Sequence, residues 1–315
     1  MKTQRIFFQD FEPLEFTFKQ NRYDFIVDEI PNINFSGRGN YLILKIKKQL
    51  TSTWELLSLI SEELNIPEHL IGYAGLKDKN ATSTQYISIP ANKSREYKRL
   101  DRKLVQVEKT FKHHEKLKIG DLEGNRFIIT LKDVKKETLP LIYQTLSQIG
   151  KHGMPNYFGY QRFGFEYNFE QAKQIVYGEE VMGDKKIEKF LKLAYQSYFF
   201  NAWLAKRVEL SRSKGLKKLQ ELEGDIYSRE NKKIITGLLP GRNIIRAKGS
   251  ARELEEEFDD IFIHEKGYRR DAIVLPTDIK NRYDEKNEWL EVEFSLPKGS
   301  YATVLIENIA NKNFA

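Results

Sequence analysis

Cysteine is missing from all 315 residues, which excludes disulfides and thiolate metal sites and fits a reducing cytoplasm. Long apolar runs are missing too, and no stretch approaches the roughly 18 consecutive apolar residues of a membrane-spanning helix. The opening "MKTQRIFFQDFEP" has neither the apolar centre nor the cleavage site of a secretory leader, so a cytoplasmic protein away from membranes is expected. The five histidines, His69, His113, His114, His152 and His264, show neither HExxH nor another i,i+4 ligand spacing, so no metal is expected. There is no Walker A loop. "GRG" at 37–39 lacks the third glycine of a dinucleotide fingerprint and reads as a strand turn. No G-x-S-x-G elbow offers a serine nucleophile. Carboxylates, lysines, arginines, amides and aromatics are what remain for chemistry.

What is present describes a soluble, globular chain, 40% hydrophobic and 31% charged. Its length suits two ordinary domains, or one large domain with an insertion. The net charge of +7 is concentrated between Lys93 and Lys118, where ten Lys or Arg face four Asp or Glu. Tyr97, Phe111, His113 and His114 are interleaved there. Basic clusters with aromatics suit a phosphate backbone and exposed bases, and a solvated lysine-rich face is the plainer alternative.

Alternation predicts strands at "DFIVDEI" (24–30), "YLILKIKK" (41–48), 84–89, 104–108 and 126–132, and again through Leu290, Val292, Phe294 and Leu296. "STWELLSLISEELN" opens with the Ser52–Glu55 capping-box spacing and is expected to bury Trp54, Leu57, Ile60 and Leu64 on one face. A helix over about 135–149 is expected to stop at Gly150. Residues 184–210 have no Pro or internal Gly and predict one long helix. A polar, charge-rich stretch runs on to about 265 with a turn at "LLPGR" (238–242), and "GSYATVLIENIA" (299–310) closes as a helix. Strands early, helices in the middle and a strand near the end predict an α+β fold, its mixed sheet completed by the chain's end around a helical insertion.

One loop stands out. In "YAGLKDKNATSTQYISIP" (73–90) a single acid, Asp78, sits between Lys77 and Lys79 ahead of a strand. On its own Asp78 reads as a turn residue. "NRFIITL" (125–131) reads as a strand with Phe127 packed inward, and "NYFGYQRFG" (156–164) as an aromatic loop with glycine turns.

In this order, however, "DFIVDEI", "YAGLKDKNATSTQ", "GNRF" (124–127), "PNYFGYQRFG" (155–164), "YQSYFFN" (195–201), "LLPG" (238–241), "GYRR" (267–270) and "LPKGSYATVLIE" (296–307) resemble the TruD family of tRNA pseudouridine synthases, which act on uridine 13. The resemblance covers almost the whole chain. It implies a pseudouridine-synthase-like catalytic domain with a mainly antiparallel sheet, formed by 1–154 plus 275–315, and a helix-rich α/β TRUD insertion at 155–274. It implies tRNA as partner, a monomer, and neither cofactor nor metal. By motif position Asp78 matches the family's catalytic aspartate, and Phe25, Asn125 and Phe127 fall where the family lines its uridine pocket. Tyr301 stands where relatives commonly carry phenylalanine.

The chemistry agrees with this assignment. Turning uridine into pseudouridine breaks an N1–C1′ bond and makes a C5–C1′ bond without redox change. It needs an ionised carboxylate at the sugar, either as nucleophile or as a base for a ribose proton. Lys77 is expected either to favour the ionised form of Asp78 or to point into solvent. Phe127 can offer a π-face, Asn125 an amide to a uracil edge, and Arg162 with segment 93–118 phosphate contacts. Two alternatives stay open: a pseudouridine synthase acting on other RNAs, and a non-catalytic RNA-binding protein. The intact acid and "GNRF" weigh against the second.

Overall fold

The computed structural model describes residues 4–93, 96–164 and 169–314. Ser94 and Arg95, inside the basic segment, lie outside the described residues. The chain divides into two compact units: Glu15–Glu137 with Pro276–Gly299, and Met1–Leu14 with Thr138–Leu275 and Ser300–Ala315.

The first unit is a sheet. It contains β1 (Phe25–Pro31), β2 (Tyr41–Gln49), β3 (Gly72–Tyr73), β4 (Thr82–Pro90), β5 (Val105–His113), β6 (Leu122–Leu131), β11 (Thr277–Asp284) and β12 (Trp289–Pro297), with helix α1 (Thr53–Leu64) between β2 and β3. Their order is β11-β12-β6-β1-β4-β2-β5, and β3 also pairs with β4. Every pairing is antiparallel except β1 with β4. The strand order predicted a mixed sheet and the family resemblance a mainly antiparallel one, as found, and the return of the chain's end as β12 beside β6 completes it.

The register puts one inward row across five strands: Lys48, Ser83, Val27, Phe127 and Phe294 are successive Cα partners. Directly paired residues share a face, so these five side chains line up on one side of the sheet. The adjacent row carries Glu29 opposite Asn125, and Asn125 opposite Leu296. β12 passes so close to β6 that a Cβ on Gly124 would collide with the Leu296 carbonyl oxygen. Only glycine fits at that point of "GNRF".

Helix α1 covers the β2–β4 end of the sheet, where Leu44, Ile46, Ile87 and Ile89 meet Leu56, Leu57, Ile60 and Leu64. Its capping box forms as expected. Ser52 Oγ accepts from the Glu55 N–H at 3.2 Å, and Glu55 Oε2 accepts from the Ser52 N–H at 2.7 Å. Trp54 departs from the expectation: it is 58% exposed, edge-on to Tyr73. The buried stripe runs instead through Thr53, Leu56, Leu57, Ile60 and Leu64. Those positions keep the helical period, and Trp54 lies one residue off it.

The second unit holds α2 (Leu139–His152), β7 (Met154–Pro155), α3 (Phe169–Tyr177), α4 (Lys185–Arg212), β8 (Thr236–Leu239), α5 (Gly249–Glu256), β9 (Tyr268–Asp271), β10 (Ile273–Val274) and α6 (Ala302–Ala310). Contrary to expectation α2 does not stop at Gly150. It runs on to His152 and ends at Gly153, whose φ of +78° is the left-handed conformation that favours glycine. A glycine inside a helix costs only about 1 kcal/mol, and here the helical ladder continues past it, the Gly153 N–H donating to the Ile149 carbonyl at 2.8 Å. The long helix α4 forms as predicted, its 28 residues spanning about 42 Å at 1.5 Å per residue. Around it Tyr157, Phe158, Phe200, Trp203, Leu204, Leu239 and Val304 make the main apolar core. A buried bidentate pair, Arg5 with Glu307 at 2.5 and 2.7 Å, ties the N-terminal segment to α6. No helix among the described residues is long and apolar enough to cross a membrane.

Candidate active site

The loop from Ala74 to Ala81 joins β3 to β4 and carries Asp78. Side chains grip its backbone just ahead of the acid. Gln85 Nε2 donates to the Gly75 carbonyl at 2.6 Å, and the Lys77 N–H donates to Thr53 Oγ1 at 2.9 Å. Both lysines beside Asp78 are engaged elsewhere. Lys77 turns inward, 8% exposed, and its Nζ lies 2.5 Å from Glu29 Oε2. Lys79 turns outward to Glu55, with Nζ 2.5 Å from Oε1. Among the described residues Asp78 has no ion-pair or hydrogen-bond partner for its carboxylate.

The two lysines therefore anchor the loop and leave the acid free between them. Lys77 does not point into solvent, and its charge still favours the ionised form of Asp78. It is a buried partner of Glu29. Glu29 in turn accepts from the Tyr86 N–H at 3.1 Å, where β1 parts from β4 and leaves that donor unpaired.

Asp78 is open to solvent as a residue, yet protein crowds its carboxyl, and this burial raises its pKa. Lys48, then Lys77, oppose the shift without cancelling it. Protein therefore packs around a carboxyl that solvent still reaches. Lys48 is 1% exposed, with its Nζ donating to the Thr51 carbonyl at 2.5 Å. Burial and the Lys77 charge push its pKa down to about 8, while Asp78 and Glu55 hold it up.

The remaining residues expected on this unit surround the same inward rows. Phe25 and Phe127 are 3% and 7% exposed. Phe127 stacks on Phe294 at 5.5 Å between centroids and meets Phe25 edge-on at 6.1 Å. Its ring is therefore a core ring whose edge can at most bound a pocket. Asn125 is different: its Oδ1 is buried with no hydrogen-bond partner. An unsatisfied buried acceptor is rare and costly unless a ligand or water donates to it.

Tyr301 and Arg162 belong to the second unit, where the sequence motifs interlock. Asn201 of "YQSYFFN" accepts from the Phe158 N–H at 2.8 Å and donates to the Phe158 carbonyl at 2.9 Å. Arg162 Nε donates to Ser197 Oγ at 3.0 Å, and its guanidinium lies 5.2 Å from the Phe158 ring centroid. Arg270 of "GYRR" lies 4.1 Å from the same centroid and donates to the Asn156 carbonyl and Oδ1 at 3.0 and 2.7 Å. Burial lowers the pKa of Arg162 and pushes that of Arg270 down to about 10, with Tyr301 raising both. Tyr301 precedes α6 and meets Phe158 edge-on at 6.1 Å. A Cβ on Gly159 would come within 2.8 Å of Tyr301 Cδ1, so this glycine makes room for the ring.

Sequence reasoning missed Glu29, Lys48, Asn156 and Arg270. The first two carried a signal. Phe25, Val27 and Glu29 share an inward face by alternation, as do Leu44, Ile46 and Lys48. A charged residue that continues an apolar register is a buried charge and needs a partner. Asn156 and Arg270 had no such local signal, because only the tertiary fold brings them together.

Comparison with known proteins agrees with the motif order. The family model described as tRNA pseudouridine synthase D (TruD) matches residues 3–180 and 182–309. The tRNA pseudouridine synthase D of a Nitratiruptor species is 39% identical over 98% of each chain. That of Wolinella succinogenes is 37% identical, again over 98% of each. The crystal structure of a candidate tRNA pseudouridine synthase D from Methanosarcina mazei has the same fold, with a TM-score of 0.72 at 24% identity over 98% of this chain and 96% of that one. The chain belongs to the tRNA pseudouridine synthase D (TruD) family.

Proposed function

We propose that this protein is an isomerase that converts uridine to pseudouridine in tRNA, at position 13, with Asp78 acting at the ribose C1′ and no cofactor. The observation that carries the reading is the unpartnered Asp78 carboxylate, held between two lysines that are each committed to another acid. A carboxylate locked in a salt bridge is a poor nucleophile and a poor base. This one is accessible and needs no partner broken before it reacts.

The other roles follow from position and chemistry. Lys48 and Lys77 favour the ionised form of Asp78 against the burial that disfavours it. Asn125 Oδ1, buried and unpaired, accepts from the uracil N3–H as the detached base turns. Phe25 and Phe127 form the apolar wall beside it. On the second unit Tyr301 supplies a ring for base or ribose, and Arg162 a cation for phosphate. The proposed insertion at 155–274 falls within the range of the unit Thr138–Leu275, which with Ser300–Ala315 also takes in α2 and α6. The basic segment supplies further phosphate contacts through Lys98 and Lys103, whereas Arg99 and Arg102 already pair with Glu96 and Glu63.

Mapping pseudouridine in cellular tRNA with and without the gene tests the reading. Loss at position 13 on deletion, restored by the intact gene, is the expected result. An unchanged tRNA map contradicts it, and loss in another RNA moves the substrate.

A further inference from the structure

A second site lies on the helical unit, built on a stripe of α4 rather than on a loop. Lys185, Lys189, Lys192 and Gln196 follow one another at helical spacing and line a cleft of about 410 Å³, faced by Glu265, Lys266 and Tyr268. That volume falls within the roughly 300–1,000 Å³ of small-ligand sites. A lysine-rich stripe on the walls of a cleft is not an ordinary solvated helix face.

The floor is polar and incomplete. Gln196 is fully buried, and its Nε2 donates to the Pro240 carbonyl at 2.7 Å and to the Lys266 carbonyl at 3.1 Å. Both acceptors are carbonyls, which fixes the amide's orientation and leaves Oε1 as an acceptor. That Oε1 is buried without a partner, and so is Glu265 Oε2. Glu265 Oε1 is already committed to Lys192 at 2.9 Å, and Lys192 also reaches Glu188 at 2.9 Å. Two orphaned acceptors in one cleft call for a ligand that donates hydrogen bonds.

The rim is cationic and aromatic. Lys185, Lys189 and Lys266 are exposed and have no carboxylate partner among the described residues. Tyr268 is 48% exposed, with Lys266 Nζ 5.6 Å from its ring centroid. Donors wanted at the floor, a π-face at the side and ammonium groups at the rim match a nucleotide: base amine inward, ring on tyrosine, phosphate on lysine.

We propose that this cleft is an accessory nucleotide site that takes one unstacked residue of the RNA substrate bearing an exocyclic amino group, adenine, cytosine or guanine. It rests on the reading of the protein as an RNA isomerase. Uracil offers the floor only its N3–H and is the poorest fit. The site makes the helical unit a reader of RNA as well as a source of phosphate contacts, and it selects a nucleotide other than the uridine that reacts.

The test uses the full chain and the four 5′-monophosphates AMP, CMP, GMP and UMP, titrated while the side-chain amide resonances of Gln196 are followed. Saturable shifts are expected with the first three, and binding of UMP weaker by about tenfold or more, the loss of one base-edge hydrogen bond. Gln196→Met should erase that preference. Because Gln196 also holds two backbone carbonyls, Tyr268→Ala and Lys189→Gln, both at exposed positions, serve as variants that keep the fold. Each should weaken nucleotide and tRNA binding by about tenfold. Equal binding of all four nucleotides, no saturable shift at Gln196, or unchanged affinity in both exposed variants would overturn the site. Tritium release from 5-tritiated uridine in tRNA is measured in parallel. Release without nucleotide preference removes the accessory site alone, whereas absence of release removes the isomerase reading.

Discussion

Lys77 Nζ lies 2.5 Å from Glu29 Oε2, both side chains almost fully buried. This pair fixes one end of the Asp78 loop to β1. Removing the lysine alone strands a buried carboxylate that also holds the Tyr86 N–H. Lys77→Met should therefore cost about 3–5 kcal/mol in urea unfolding. Glu29→Gln combined with Lys77→Met should recover a large part of that loss, since glutamine keeps the acceptor and loses the charge. Equal destabilisation in the single and double variants would show that the pair is not what holds the loop.

The environment of Asp78 sets a pH dependence. Its pKa is raised above the usual carboxylate value, burial outweighing Lys48 and Lys77. In the proposed role Asp78 works ionised, so turnover should rise with pH through that raised pKa, with its acid limb displaced above 3.8. Lys48→Met removes the cation that contributes most to lowering it. Ionisation then becomes harder, and the acid limb should move to still higher pH. Lys48→Arg should leave the limb nearer its original place. A limb that does not move in Lys48→Met would remove Lys48 from the electrostatics of the site.

Phe127 sits between Phe25 and Phe294 with 7% of its surface exposed. Phe127→Ala should lower stability by about 3–5 kcal/mol, as for other buried aromatic truncations. Thermal melting checks this. An unchanged melting temperature with lost turnover would make it a pocket ring instead.

Tyr301 meets Phe158 edge-on, in space that Gly159 leaves open. If the ring is what matters, Tyr301→Phe should keep turnover within about tenfold of the parent, and Tyr301→Leu should lose stacking of about 1–3 kcal/mol. A larger fall in Tyr301→Phe would assign the hydroxyl a part in the reaction.

Much of the fold could be read from periodicity. Leu290, Val292, Phe294 and Leu296 announced β12 by strict alternation, and the Ser52–Glu55 spacing announced the start of α1. The end of α2 could not be read, because Gly150 and Gly153 both look like stops and only the second takes the left-handed conformation. Motif order pointed to Asp78 and Asn125, and the structure leaves the first without a carboxylate partner among the described residues and the second with an orphaned acceptor. The partners that shape them were less accessible. Glu29 and Lys48 were hidden by the habit of reading charges as exposed, and Arg270 by a sequence separation of 114 residues from Asn156.

Asp78→Asn tests the central claim most directly. The substitution keeps size and hydrogen-bonding capacity but removes the negative charge, and no partner is left stranded. Tritium release from 5-tritiated uridine in tRNA should be abolished, while tRNA affinity, resting on distributed phosphate contacts, should stay within about threefold of the parent. Release at near-parental rate by Asp78→Asn would contradict the account.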